Sequence, residues 1–235
     1  GNLELTGFKG NLLPQPLLIN KSILNKYIRD QITDTSVYPY RSIGHVGGAC
    51  TGTLVGTRYV LTAGHCVFSH KKKKFKKNLW FWPGKNGDKK PYPKVQWEHA
   101  IVLRGYKENA TPELDMGLII LDKPIGDELG WLGVKVFAPM STDAQIFITG
   151  YPGDKPKGTL WGVACPISTR QDNLLFHLCD TYGGMSGSGI LAPRLSTDED
   201  FKIFGIHTFG AEDMNGAVEM RPTLIKILEA QTHYF

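Results

Sequence analysis

The sequence predicts an all-β protein of two successive β units followed by one short helix. Three observations lead there. Short runs rich in Val, Ile, Thr, Tyr and Phe recur along the chain, separated by Gly, Pro, Asn and Asp, which is the pattern of strands and turns. The runs fall into two sets with a glycine-rich connector between them, and repeated short strands at this spacing build a sandwich or a barrel. At the end, Pro222 opens a segment with Leu224, Ile225, Ile227 and Leu228 at helical spacing, so a proline-started helix is expected there.

Residues 1–21 carry leucines between Gly7, Gly10, Pro14 and Pro16 with neither helical nor strand period, and read as an irregular leader lying on the body. The first set of strands is expected at Tyr40–Val46, Cys50–Val55, Tyr59–Thr62, Leu79–Trp82, Ala100–Leu103 and Gly117–Leu121. A connector runs through Lys123, Pro124, Gly126, Gly130 and Gly133. The second set is expected at Ile146–Thr149, Thr159–Val163, Leu174–Leu178, Gly189–Ala192, Phe201–His207 and Ala217–Glu219. The domains are therefore drawn at 22–138 and 139–235, and no internal repeat is legible in the residues themselves.

With 235 residues, 41% of them hydrophobic, the chain can bury a sizeable core. No apolar run approaches the ~18 residues of a membrane span. No charged-then-apolar leader opens the sequence, so any secretion signal is expected to have been left off or removed. The four cysteines, Cys50, Cys66, Cys165 and Cys179, form two sequence-local pairs, and neither pair has the C-x-x-C spacing of a zinc or redox motif. They read as disulfides Cys50–Cys66 and Cys165–Cys179 and hence as an oxidising, extracellular destination, four buried free thiols being the alternative. The net charge of +5 is concentrated in Lys71–Lys77 with Lys89 and Lys90 nearby. Such a block can attract acidic partners, but no aromatic platform or recognition helix accompanies it, so a solvated loop is expected and no nucleic acid.

The chemistry is concentrated in Asp180-Thr181-Tyr182-Gly183-Gly184-Met185-Ser186-Gly187-Ser188-Gly189. Glycines flanking one serine let the backbone turn its N–H groups toward whatever the serine attacks. On its own such a run is more often a flexible turn. Two further stretches supply partners: Thr62-Ala63-Gly64-His65-Cys66 after a strand-like run, and Asp115 before Met116-Gly117-Leu118-Ile119-Ile120-Leu121. The order His65, Asp115, Ser186 is that of the chymotrypsin-like triad. A hydrolase elbow would need glycine two residues after the serine, where Ser188 stands.

At these residues the sequence resembles the chymotrypsin-like serine proteases, and among them the bacterial glutamyl endopeptidases. The likeness also covers Ile32–Thr35, Tyr38–Arg41, Pro83–Gly87, Gly150–Lys155 and Asp180–Gly184, in one order along most of the chain. It implies two antiparallel six-stranded barrels packed face to face, with His65 and Asp115 from the first and Ser186 from the second. It further implies that Gly184 and Ser186 supply the oxyanion-hole N–H groups, that Thr181 and His207 line a pocket for an acidic side chain, and that no metal or other cofactor takes part. A polypeptide-cutting monomer with Glu, then Asp, before the cut is the expectation. Alternatives are a protease of other specificity on the same fold, and a catalytically silent binding protein that uses the basic loop.

Two departures stand out. Met185 occupies the place of the aspartate that in trypsin-type relatives captures a new N-terminal ammonium, and a thioether forms no such ion pair. No third polar pocket residue is recognisable near Phe209 and Gly210. Counting back from Tyr38-Pro39-Tyr40-Arg41, Ser22 falls where the mature relatives begin, so residues 1–21 are expected to be a pro-segment, with a zymogen cut after Lys21.

Overall fold

A computed structural model describes residues 4–7, 27–136, 145–192, 201–211 and 213–232. The first set of strands comprises β1 (Ile43–Val46), β2 (Cys50–Leu54), β3 (Tyr59–Thr62), β4 (Phe81–Pro83), β5 (Trp97–Val102) and β6 (Gly117–Leu121). The second comprises β7 (Gln145–Gly150), β8 (Trp161–Gln171), β9 (Leu174–His177), β10 (Gly189–Leu191), β11 (Lys202–Gly210) and β12 (Asn215–Glu219). Each expected strand has a counterpart, and Tyr59–Thr62 and Gly117–Leu121 coincide with their expected limits. These two are apolar without alternation because both faces are covered, every residue of each being buried.

The first unit is a six-stranded antiparallel sheet in the order β4-β1-β2-β3-β6-β5. Its ends approach each other through the bridge Phe81–Val95, two residues before β5. The second runs β11-β10-β7-β8-β9-β12 and closes by pairing β11 with β12. Read around the barrel, the two orders are the same: fourth, first, second, third, sixth, fifth. Closure gives each of these six strands a partner on both sides, which shortens the edges open to edge-to-edge pairing.

Several features depart from the expected layout. β8 is eleven residues long instead of ending at Val163. Helical turns occupy Arg104–Asn109 and, within the connector, Gly126–Leu129. Asp30–Gln31 pair with β8, so this stretch precedes the first sheet in sequence yet adds to the second. Likewise Gly133–Lys135 run parallel to the start of β11 and pair on their other side with Glu4–Leu5, which docks that part of the leader on the body. The limit at 138/139 and the Lys21–Ser22 bond lie outside the described residues.

The expected helix spans Pro222–Thr232 and buries Leu224, Ile225 and Leu228, whereas Ile227 faces outward. Lys71–Lys74 form an exposed turn between Phe68–Ser69 and Lys74–Phe75, and Phe75 anchors the turn edge-on against Phe68 at 5.4 Å. Both cysteine pairs are disulfides, Cys50–Cys66 and Cys165–Cys179, with Cα atoms 6.1 and 5.2 Å apart.

Candidate active site

His65 lies in the single helical turn Gly64–Val67 that leaves β3, and Asp115 sits just before β6, the neighbour of β3 in the sheet. Pairing of those two strands therefore delivers the carboxylate to the histidine. Asp115 Oδ1 accepts the backbone N–H of His65 at 2.8 Å, and Oδ2 lies 2.8 Å from Nδ1. The two contacts fix both the position and the rotation of the ring, and they favour the tautomer with its proton on Nδ1. The site is shielded by Tyr106, whose hydroxyl is pushed up by burial and then by the Asp115 charge. A side chain on Gly64 would meet Tyr106 at 2.8 Å and Asp115 Oδ1 at 2.9 Å, so only glycine lets the carboxylate come this close.

Ser186 precedes β10 on a turn that is bound to the first unit through Thr51 of β2. The Thr51 N–H donates to Ser186 O and its hydroxyl to Gly184 O, both at 2.9 Å. Gly187 has φ +90°, and a Cβ there would lie 2.1 Å from Thr51 O and 2.2 Å from Thr62 Oγ1. Glycine is thus what allows the serine loop to press against the strand that ends at Thr62, three residues before His65. The carbonyl of Gly183 accepts from Gly153 N–H at 2.7 Å and that of Met185 from Ser188 N–H at 3.0 Å. In a trans peptide the N–H points away from its carbonyl, so these bonds aim the N–H groups of Gly184 and Ser186 to the opposite side. Among the described residues neither amide finds a protein acceptor.

Beside Ser186 opens a cleft of about 600 Å³ lined by Thr181, Tyr182, Gly183, His207 and Asn215 among others. Thr181 and His207, both singled out from the sequence, are brought together there. His207 is buried on β11, and its Nδ1 lies 3.3 Å from Nε2 of His177 on β9. One ring must donate and the other accept. Burial, followed by the neighbouring His177 and His65, pushes His207 down to about 3, and burial pushes His177 down to about 4. Burial thus favours the neutral form of both rings, so His207 presents the cleft with an uncharged imidazole backed by His177.

Three residues escaped the sequence reading. His177 lay in a strand with no motif around it. Asn215 lines the cleft beside Thr181 and His207, and its Nδ2 donates to Cys179 O at 2.7 Å, tying the disulfide-bearing segment to the rim. Arg29 is almost wholly buried; it grips Asp154 through both terminal nitrogens at 2.7 Å and donates Nε–H to Asp180 at 2.9 Å. Both carboxylates fall in stretches the resemblance had picked out, Gly150–Lys155 and Asp180–Gly184, but the cation that joins them did not. Met185 is fully buried among the second unit's apolar residues, in keeping with its apolar side chain.

Two six-stranded units of identical strand order, joined where the turn that carries Ser186 presses on Thr51 and Thr62 of the first unit, define a two-barrel protein of chymotrypsin type. The chain belongs to the trypsin family, whose model, described as Trypsin, matches residues 30–218. Over 173 residues it is 36% identical to a glutamyl endopeptidase of Bacillus licheniformis, which covers 72% of this chain and 54% of that protein. Over 206 residues it is 31% identical to an extracellular metalloprotease of Bacillus subtilis, covering 83% and 64%. The chain thus spans little more than half to two thirds of these relatives. Among solved structures, a Glu endopeptidase in complex with MPD superposes with a TM-score of 0.80 at 26% identity, over 92% of this chain and all of that one.

Proposed function

We propose that the protein is a secreted serine endopeptidase that cuts polypeptides after glutamate, and less readily after aspartate. The observation that carries this is the double grip of Asp115 on His65 beside a serine turn with two unclaimed N–H donors. His65 takes the Ser186 hydroxyl proton as Oγ bonds to the scissile carbonyl carbon, and Asp115 steadies the imidazolium so formed. The N–H groups of Gly184 and Ser186 meet the oxyanion, the C–N bond breaks, and His65 passes its proton to the leaving amine. Water then repeats the sequence in reverse on the acyl-enzyme.

Thr181 and His207 would face the substrate carboxylate, with His177 holding the His207 ring from behind. A neutral imidazole N–H and a hydroxyl can both donate to a carboxylate, and an arriving negative charge favours protonation of His207 inside the low-dielectric pocket. The similarity to glutamyl endopeptidases supports this choice of side chain. Two disulfides support an oxidising destination. Among the described residues, Cys50, His65 and Cys66, and likewise Cys165, His177 and Cys179, gather three potential metal ligands, but in each set both sulfurs are bound in a disulfide and offer no thiolate. Residues 1–21 act in this scheme as a pro-segment released after Lys21, which limited trypsin treatment followed by an activity assay checks.

Labelling with a fluorophosphonate and peptide mapping should place the adduct on Ser186, and a peptide library read by mass spectrometry should show Glu before most cuts. Ser186→Ala should lower turnover by several powers of ten, on the order of 10⁶. Appreciable peptidase activity in that variant would remove Ser186 as the nucleophile.

A further inference from the structure

A second surface beside the serine turn carries concentrated charge that the triad and the pocket do not use. Lys94 Nζ lies 5.2 Å from the Trp80 ring centre and 5.8 Å from that of Trp82, and Lys85 and Lys90 each lie 5.3 Å from Trp82. Ammonium groups at such distances are held over the ring faces without losing their charge. Lys157, from the loop that faces this one through the Gly87 N–H to Gly158 O bond, acts electrostatically on Lys85 together with Lys90. The opposing carboxylate acting on Lys85 is Asp88, and among the described residues none of these four lysines forms an ion pair. Lys90, Lys94 and Lys157 are exposed.

Buried rings connect the floor of this surface to the serine turn. A side chain on Gly184 would strike Tyr151 O at 2.3 Å, so Tyr151 directly backs that turn. The Tyr151 ring stacks on His45 at 5.0 Å, and His45 meets Trp80 edge-on at 5.7 Å. His45 also pairs with Thr51, which holds both Gly184 and Ser186. The pocket that would take the residue before the cut lies on the other side of the turn, lined by Thr181, His207 and Asn215. With the carbonyl carbon at Ser186 and the residue before the cut in that pocket, the chain after the cut leaves on the opposite side of the turn, the side that Tyr151 backs from beneath and on which Trp80 stands. An extended peptide advances about 3.3 Å per residue, so its second to fourth residues lie about 7–13 Å beyond the cut, on the side where these rings and lysines stand.

We propose that Lys85, Lys90, Lys94 and Lys157 around Trp80 and Trp82 form the binding surface for the departing half of the substrate and select peptides with acidic residues two to four positions after the cut. This rests on Ser186 acting as the nucleophile. The tryptophans give the peptide an apolar floor, and the lysines supply the charge.

The test compares two quenched peptides with Glu before the cut and either Asp or Asn at the second and fourth positions after it, the cut bond being confirmed by mass spectrometry. At low ionic strength kcat/KM should be about fivefold higher for the Asp peptide, with the advantage falling toward one in about 0.5 M salt. In K90Q/K94Q/K157Q the Asp-to-Asn ratio should also fall toward one, and because it is a ratio, a general loss of folding cancels. A glutamyl p-nitroanilide, which has no peptide after the cut, separates the two ideas. If it is hydrolysed but the wild-type ratio is one, the proposed surface is overturned while the nucleophile stands. If neither it nor the peptides are hydrolysed after limited trypsin treatment and a fluorophosphonate leaves Ser186 unlabelled, the nucleophile reading fails, and anisotropy of the labelled peptides bound to Ser186→Ala decides the surface, equal affinities overturning it. Salt-sensitive heparin binding with equal peptide rates also overturns it, in favour of a polyanion dock.

Discussion

Arg29 Nε donates to Asp180 Oδ2 at 2.9 Å while the same guanidinium grips Asp154, so one buried cation joins the N-terminal segment to the residue just before Thr181. The Asp180 N–H adds a bond to Tyr27 O at 3.1 Å. The start of the pocket wall is thus held by Arg29, 151 positions earlier in the chain, and by its neighbour Tyr27. The guanidinium holds the Asp154 carboxyl below the usual carboxylate range, mainly through the hydrogen bonds between them.

Arg29→Gln should therefore loosen the turn that carries Thr181 and Gly184. Asp154 and Asp180 are partly solvated, with side chains 30% and 42% exposed, so water replaces much of what is lost and the cost should be only about 1–3 kcal/mol. Urea unfolding reads that loss, and kcat/KM on a Glu peptide should fall about tenfold. Arg29→Lys should recover little, because an ammonium cannot grip one carboxylate in a fork and reach the other. Full activity in Arg29→Gln would show that the turn holds itself.

For the pocket, His207→Ala should cost about 2–4 kcal/mol in kcat/KM on Glu substrates, because the carboxylate loses its donor in a buried site. His177→Ala should cost less, since it acts by holding the His207 ring. Equal losses on Glu and neutral substrates would mean that His207 serves the fold instead.

Removing the Cys50–Cys66 crosslink by a double serine substitution should cost about 2–4 kcal/mol, because the disulfide limits the unfolded chain across a separation of 16 residues. The midpoint of urea unfolding checks this. The loss should extend to turnover, since Cys66 adjoins His65.

Acid should destabilise the protein through its buried histidines. His177, His207 and His45 are pushed down from 6.5 to about 4, about 3 and about 4, in each case chiefly by burial. Below pH 6.5 the unfolded chain takes up protons that the native state refuses, so stability is complete above that pH and falls as pH drops. The loss continues to about 4 for His45 and His177 and about 3 for His207. Each can contribute up to about 1.4 kcal/mol per pH unit. Unfolding midpoints at pH 7, 6 and 5 should show this slope, and His177→Gln should reduce it by one proton. An unchanged slope would mean that His177 titrates normally.

Both sets of strands could be read from the sequence because strand formation is local: Tyr59-Val60-Leu61-Thr62 and Gly117-Leu118-Ile119-Ile120-Leu121 carry their β preference and their burial in their own side chains. His65, Asp115 and Ser186 were legible because each stands in a short stretch whose spacing restricts its chemistry. The helical turn Gly126–Leu129 was not, since glycines at its ends read as a loop.

The sequence by itself determined the strands, the C-terminal helix, the cysteine pairs and the candidate triad, all of which depend on neighbours within a short stretch of chain. Tertiary structure alone decided that the two units share one strand order, that His177 backs His207, that Asn215 joins the cleft and that Arg29 clamps Asp154 and Asp180. It also decided that lysines from two loops gather beside the serine turn. These relations join residues up to 151 positions apart, and periodicity cannot report them. Closing each sheet and packing one unit on the other sets which distant residues meet, and burial then makes a neutral imidazole or a fully paired arginine the lower-energy state.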